Sequence, residues 1–207
     1  IMDGNNRWSK KNSIPKMNAY KKGAENLIEL AHYLFNNTKV KFISAFALSK
    51  NNLDRPPSVL NIIKKVLKNS LIQIKENKLN FDIHFLGKFE FLDKETQDLI
   101  NQLNQKNDFS NKLFIYINYG GREDLENAAI NIKIKKNNLK SNLITSHLPD
   151  PDILVRTGGF RRISNFLLYE IAFTDFFFLN KLWPDLNKAD LRKIINNYSI
   201  IERKFGR

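Results

Sequence analysis

The chain has 207 residues, 34 Lys and Arg against 21 Asp and Glu, a formal charge of +13 and no cysteine. Disulfide scaffolds, thiol nucleophiles and Cys-ligated zinc or iron–sulfur sites are therefore excluded, and three His at 32, 84 and 147 are too scattered for a His-built metal centre. The 42% hydrophobic fraction is that of a globular protein, and no apolar run approaches the roughly 18 residues of a membrane span or has the form of a signal peptide.

These features predict one soluble, cytoplasmic domain spanning residues 1–207. The positive charge says less, because the crowding of Lys, Asn and Ile fits biased base composition as well as a basic surface. Nucleic acid, an anionic membrane and phosphorylated small molecules are all compatible with it.

In chain order, Ile1-Met2 before Asp3-Gly4 reads as the last residues of a strand, and the chain is expected to have lost its first few residues. Apolar residues from Tyr20 to Asn36 keep helical spacing, while Lys39 to Leu48 is β-branched and aromatic, a buried strand. Pro56-Pro57-Ser58 opens a long amphipathic helix with Val59, Ile62, Val66, Leu67, Leu71 and Ile74 along one side. A strand over Phe81–Leu86, a helix over Asp93–Gln105 capped by the Asp, and a strand over Lys112–Tyr119 follow. Gly120-Gly121 breaks that strand before a helix over Asp124–Lys135. Beyond the turn at Pro149-Asp150-Pro151, the pattern predicts a strand at Ile153–Val155 and a helix over Asn165–Phe173. A strand at Phe176–Leu179 and a helix over Asn187–Tyr198 complete it. Strands alternating with helices imply an α/β fold with a mainly parallel central sheet covered on both faces.

Ligands of such sheets gather beyond the carboxyl ends of the strands, where three polar clusters fall. In Asp3-Gly4-Asn5-Asn6-Arg7-Trp8, Gly4 permits a tight turn, Asn amides and backbone N–H groups can cradle an anion, and Arg7 offers a fork for phosphate. An acid beside such groups makes sense if a hard cation, Mg2+, joins them; a plain Asp-Gly turn among solvated bases also fits. Ser49-Lys50-Asn51-Asn52-Leu53-Asp54-Arg55 has the polarity of a mobile loop. The third cluster, Arg156-Thr157-Gly158-Gly159-Phe160-Arg161-Arg162-Ile163-Ser164-Asn165, places three Arg and a Gly pair at a strand-to-helix turn, a diphosphate candidate. Asp175 could complete a cation site with Asp3. Sixteen Phe exceed what anion binding needs; most belong to a core, but an apolar cavity beside two diphosphate sites is what isoprenoid diphosphates require.

The segments Ile1-Met2-Asp3-Gly4-Asn5-Asn6-Arg7-Trp8, Asn118-Tyr119-Gly120-Gly121, Asp152 to Gly159, Arg162 to Leu168 and Leu182 to Leu186, in this order, resemble the cis-prenyltransferase family. The resemblance runs from Ile1 to Gly206 and is thin between about Lys64 and Lys112. It implies elongation of an allylic diphosphate, typically farnesyl diphosphate, by isopentenyl diphosphate units, with an undecaprenyl product for the cell-wall lipid carrier. By similarity, Asp3 is the catalytic acid residue and an Mg2+ ligand, with Asp175 at the second ligand position. Gly4, Asn5, Asn6, Arg7 and Trp8 surround the leaving diphosphate, and Lys16 and Tyr20 lie near it. Asn52 matches a position associated with proton removal; Ser49, Lys50, Asn51, Leu53 and Arg55 share its loop. Arg156, Arg162, Ile163 and Ser164 match the isopentenyl diphosphate clamp. The helices Tyr20–Asn36 and Ser58–Asn77 would wall a product tunnel in which Ala47 is a size-sensitive position. The resemblance also implies a homodimer whose basic tail, Arg203-Lys204-Phe205-Gly206, approaches the partner's site.

Five positions depart from the family pattern: Lys16 for Arg, Tyr20 for His, Leu53 for Trp, Phe160 for Glu and Asp175 for Glu. The alternative in another class is a non-catalytic partner subunit, which would lack the Asp-Gly-Asn-x-Arg start present at Asp3–Arg7. Specific nucleic-acid binding is not expected, since no base-stacking or groove-reading motif accompanies the charge. The charge fits peripheral contact with an anionic membrane.

Overall fold

The computed structural model describes residues 1–105, 108–135 and 137–202; the tail Arg203-Lys204-Phe205-Gly206 lies outside them. Its centre is β3 (Lys112–Tyr119), apolar on both faces as a central parallel strand must be. Leu113, Ile115 and Ile117 face one core, Phe114 and Tyr116 the other. β1 (Phe42–Ser49) and β2 (Asp82–Gly87) flank it in the order β1-β3-β2, and β4 (Ile153–Arg156) pairs with β5 (Asp175–Phe178). Every pairing is parallel. The expected single sheet is thus hydrogen-bonded as two, sharing the same two cores: Ile153 and Val155 pack into the first, Leu154 into the second. Ile1 is not assigned to a strand, yet its backbone nitrogen donates to the Val155 carbonyl at 2.6 Å and its carbonyl accepts from Thr157 N–H.

The first core lies under α2 (Lys16–Asn37), α3 (Pro57–Glu76), α4 (Lys94–Asn104) and α6 (Lys188–Ser199). In α2 the buried residues Ala19, Gly23, Asn26, Leu27, Leu30 and Ala31 repeat at three and four, the spacing of one helix face. Asp93 caps α4 by accepting from Thr96 N–H at 2.9 Å, as the sequence predicts, and Asn187 with Asp190 forms a reciprocal capping box on α6. The opposite face carries Phe46, Phe166, Leu167 and Ile171 with Ile144 and Leu148. α5 (Gly121–Lys135) joins this side through Asp124, whose carboxylate accepts from Ile144 N–H and the Tyr119 hydroxyl.

Two further segments differ from expectation. Asn5–Lys11, to which the sequence assigns no element beyond the Asp-Gly turn, forms a short helix, α1; it is pinned where the Trp8 indole N–H donates to Asp185 at 2.6 Å and buried Ser9 donates to the Ile14 carbonyl. Conversely, Asn165–Phe173 is not a helix but a run of turns. Ser164, Asn165 and Leu167 have φ of 52°, 64° and 48°, incompatible with a right-handed helix. Asn165 instead caps α5, its carbonyl accepting from Gly121 N–H and its amide oxygen from Arg122 N–H.

His84 and His147 both lie against Phe114, at 5.4 and 5.8 Å between ring centroids. Burial first, then the Lys112 charge, lowers both pKa values below the ordinary 6.5. As pH falls, the unfolded chain takes up these protons first, so stability is lost from about neutrality downward through the folded-state values. His84→Phe is expected to keep the stacking on Phe114 and to reduce the drop in urea midpoint between pH 7.5 and 5.5. An unchanged drop would assign the acid sensitivity elsewhere.

Candidate active site

Asp3 sits where α1 begins, held by its backbone. Its N–H donates to Thr157 Oγ1 at 3.0 Å, Thr157 Oγ1 donates back to its carbonyl at 2.8 Å, and that carbonyl also accepts from Trp183 N–H. Gly4 turns the chain with φ +123°, its Cα against Leu182, where an ideal Cβ would meet the Leu182 backbone at 3.1 Å. The Asp3 carboxylate is thereby aimed between two arginines, accepting from Arg7 Nη2 at 3.2 Å and from Arg156 Nη2 at 3.0 Å.

Arg156, at the carboxyl end of β4, is only 4% exposed. Its Nη1 donates to the Arg162 carbonyl and to Ser164 Oγ, the latter at 2.7 Å, while its buried Nε has no partner among the described residues. Arg7 Nη1 donates to the Gly158 carbonyl at 2.7 Å. The Phe160 ring lies 5.0 Å from the Arg7 guanidinium, 5.8 Å from that of Arg156 and 4.3 Å from that of Arg162. Among the described residues the Arg162 guanidinium has no hydrogen bond or ion pair. Two guanidiniums on one carboxylate, with a third over the adjoining Phe160 ring, leave positive charge uncompensated, which suits a multiply charged oxyanion. No helix begins at Asn165, so the Arg156–Asn165 segment contributes side chains and loop rather than a helix N-terminus.

Beside this cluster opens an apolar cavity enclosing roughly 930 Å3 of atom-free space, its mouth included, between α2, α3 and the first face of the sheet. Met2 and Asn5, which bracket Asp3 and Gly4, line it, as do Ala24, Leu27, Leu71 and Ile117. Ala47 also lines it, at a register irregularity of β1 between Phe46 and Leu48. Tyr20 borders the cavity and accepts from Arg55 Nη1 at 3.0 Å.

The remaining sequence-derived residues divide. Ser49 ends β1, and Lys50, Asn51, Asn52 and Leu53 form a 3-10 turn beyond it. Lys50 is tied to Glu123 of α5 at 2.9 Å, and Leu53 packs on the core. Lys16 opens α2, Asn6 is exposed on α1, and Ile163 packs into the second core. Asn5 presses on α2, its Oδ1 at 2.4 Å from where a Cβ on Gly23 would stand.

Asp175 is not brought to Asp3. It begins β5 opposite Ile153, whereas Asp3 hydrogen-bonds Thr157, four residues further along at about 3.3 Å each. Asp175 thus lies at the other end of the sheet, and the two carboxylates of one chain cannot share an ion. Among the described residues no three His, Cys, Asp or Glu side chains cluster as a metal cage. Asp3 alone fits Mg2+ of the kind that takes one carboxylate plus phosphate oxygens.

Sequence reasoning gave no role to Thr157, which is 1% exposed and clamps the Asp3 backbone, or to Asp185, which holds Trp8. A small hydroxyl residue wedged between Arg156 and Gly158 was the available signal for the first; the second rests on a contact across the fold.

The family model described as "Putative undecaprenyl diphosphate synthase" matches residues 1–206. The chain belongs to this prenyltransferase family. It is 34% identical to an isoprenyl transferase of Rickettsia typhi over 100% of this chain and 96% of that protein. It is 33% identical to one of Aquifex pyrophilus, with 100% and 94% covered. Among solved structures, lavandulyl diphosphate synthase from Lavandula x intermedia, in complex with dimethylallyl diphosphate, superposes with a TM-score of 0.90. The two share 25% identity over 100% of this chain and 96% of that one. A probable undecaprenyl diphosphate synthase from Campylobacter jejuni gives 0.80 at 27% identity, over 90% and 92%.

Proposed function

We propose that this chain condenses isopentenyl diphosphate with an allylic diphosphate, farnesyl diphosphate for preference, and repeats the step to a long-chain polyprenyl diphosphate, undecaprenyl diphosphate in the reading we favour. The observation that carries it is the union of two opposite chemistries: the Asp3–Arg7–Arg156 cluster, and an apolar cavity whose lining begins at Met2 and Asn5 on either side of Asp3.

In this reading Arg7 and the turn at Gly4 hold the allylic diphosphate, and its hydrocarbon tail descends into the cavity. Arg156, Arg162 and Ser164 hold the isopentenyl diphosphate, the exposed Arg162 supplying the donors that engage it. As the allylic C–O bond breaks, charge grows on the leaving diphosphate, and fixed guanidiniums stabilise it without reorganising. The isopentenyl double bond supplies the electrons of the new C–C bond, and the proton then lost from the isopentenyl unit passes to the departing diphosphate; Asn52, with an amide and no titratable proton, would orient that part of the substrate. Asp3 would hold Mg2+, which when bound neutralises part of the diphosphate charge. The proposal includes a homodimer and peripheral contact with an anionic membrane, the latter supported by the +13 charge; among the described residues no helix is long and apolar enough to cross one.

The test is incorporation of labelled isopentenyl diphosphate in the presence of farnesyl diphosphate and Mg2+, with products resolved by length. A ladder ending near eleven isoprene units, abolished by excess chelator and restored by Mg2+, is expected. Absence of incorporation by folded protein would favour a non-catalytic subunit. Ala24→Phe, which places a phenyl ring in the cavity, is expected to shift the ladder to shorter chains with the first condensation retained. An unchanged ladder would mean the chain grows elsewhere.

A further inference from the structure

We propose that Phe160 is a positioning residue that gathers the guanidiniums of Arg7, Arg156 and Arg162 around the diphosphate loop without engaging their N–H donors. The inference rests on the proposed function and adds to it the role of a side chain that no substrate group need touch.

Phe160 is not a core residue. It is 42% exposed, and it projects from a loop fixed on the exit of β5, where Gly158 N–H donates to the Lys181 carbonyl and Gly159 N–H to that of Leu179, both at 2.8 Å. Gly158 and Gly159, at φ 87° and 82°, supply a backbone path that side-chain-bearing residues rarely take. The path sets the phenyl ring among three cations at 4.3, 5.0 and 5.8 Å, all within the range over which a ring face attracts a cation.

The form of the contact matters. A ring face attracts guanidinium charge through its quadrupole and engages no in-plane donor. The three arginines do not depend on it equally. Arg7 is also held by Asp3 and the Gly158 carbonyl, and Arg156 by Asp3, Ser164 and the Arg162 carbonyl. The Arg162 guanidinium has no hydrogen bond or ion pair among the described residues and lies 4.3 Å from the ring centroid. Removing the ring therefore loosens Arg162 above all, and with it the diphosphate that Arg162 binds.

The experiment compares wild type with Phe160→Leu and Phe160→Trp in two assays: calorimetric titration with inorganic pyrophosphate, and steady-state kinetics with isopentenyl diphosphate varied. Phe160→Leu is expected to weaken pyrophosphate binding and raise KM for isopentenyl diphosphate by about 3- to 30-fold, with kcat within a factor of two or so of wild type and an unchanged melting temperature. Phe160→Trp is expected to keep both constants near those of wild type, since indole is the stronger cation-binding face. Equal constants for wild type and Phe160→Leu, or a loss that Phe160→Trp does not recover, would overturn the inference and leave the proposed function standing. Wild-type protein that neither binds pyrophosphate nor turns over would overturn both.

Discussion

Asp3→Asn is expected to lower turnover by about 10²- to 10³-fold, the usual cost of deleting one charged participant in a preorganised site. The substitution keeps side-chain shape and one acceptor oxygen but removes the negative charge shared by Arg7 and Arg156. Arg156, 4% exposed, would retain Ser164 Oγ and the Arg162 carbonyl as neutral partners. The protein should accordingly fold with a melting temperature only a few degrees lower. Asp3→Ala is the poorer test, because a buried cation stripped of its partner costs several kcal/mol and mixes stability with catalysis. Folded Asp3→Asn protein with turnover within ten-fold of wild type would remove Asp3 from the chemistry.

The largest effect on stability is expected from Gly87→Ala. Gly87 closes β2 with φ +126°, and an ideal Cβ there would stand 1.8 Å from the Ile117 carbonyl oxygen and 2.9 Å from its carbon. The obstacle is backbone of the central strand, not the end of a flexible side chain. That same carbonyl accepts from Lys88 N–H at 3.2 Å. Relief requires either Gly87 to leave its conformation or β3 to move, and Ile117 lines the cavity. Backbone strain and the clash together should cost about 3 kcal/mol or more, a fall in melting temperature of roughly 6–12 °C by circular dichroism. A shift under about 2 °C would show that the strand end yields more easily than its geometry implies.

The central elements were legible because their signals are local. Lys112–Tyr119 is β-branched and aromatic and became β3; the Pro-Pro-Ser start and apolar stripe of α3, the Asp93 cap of α4 and the start of α6 at Asn187 are where sequence places them. The helix expected over Asn165–Phe173 failed for a local reason with a distant cause. Phe166, Leu167 and Ile171 carry the apolar content of a helix face, but Asn165 is drawn into the left-handed region to cap α5, more than 40 residues earlier in the chain. Within the site, Asp3, Arg7, Arg156 and Ser164 were legible as residue types that suit a diphosphate, and the fold brings them together. The pairing of Asp3 with Asp175 was not decidable from types. Both are acids near strand ends, and only the register of β4 with β5 places them at opposite ends of the sheet. The consequence of Phe160 was equally hidden: sequence marks it only as a departure from the family's Glu, and its exposure and ring distances depend on the folded loop.

The central claim is that one substrate spans the arginine cluster and the apolar cavity. A crystal structure with a non-cleavable farnesyl thiodiphosphate tests it most directly. The account predicts the diphosphate within hydrogen-bonding distance of Arg7 at the Gly4 turn, with the farnesyl tail running past Ala24, Leu27 and Ala47 toward Leu71. A diphosphate bound away from Asp3 and Arg7, or a tail lying outside the cavity, would contradict it.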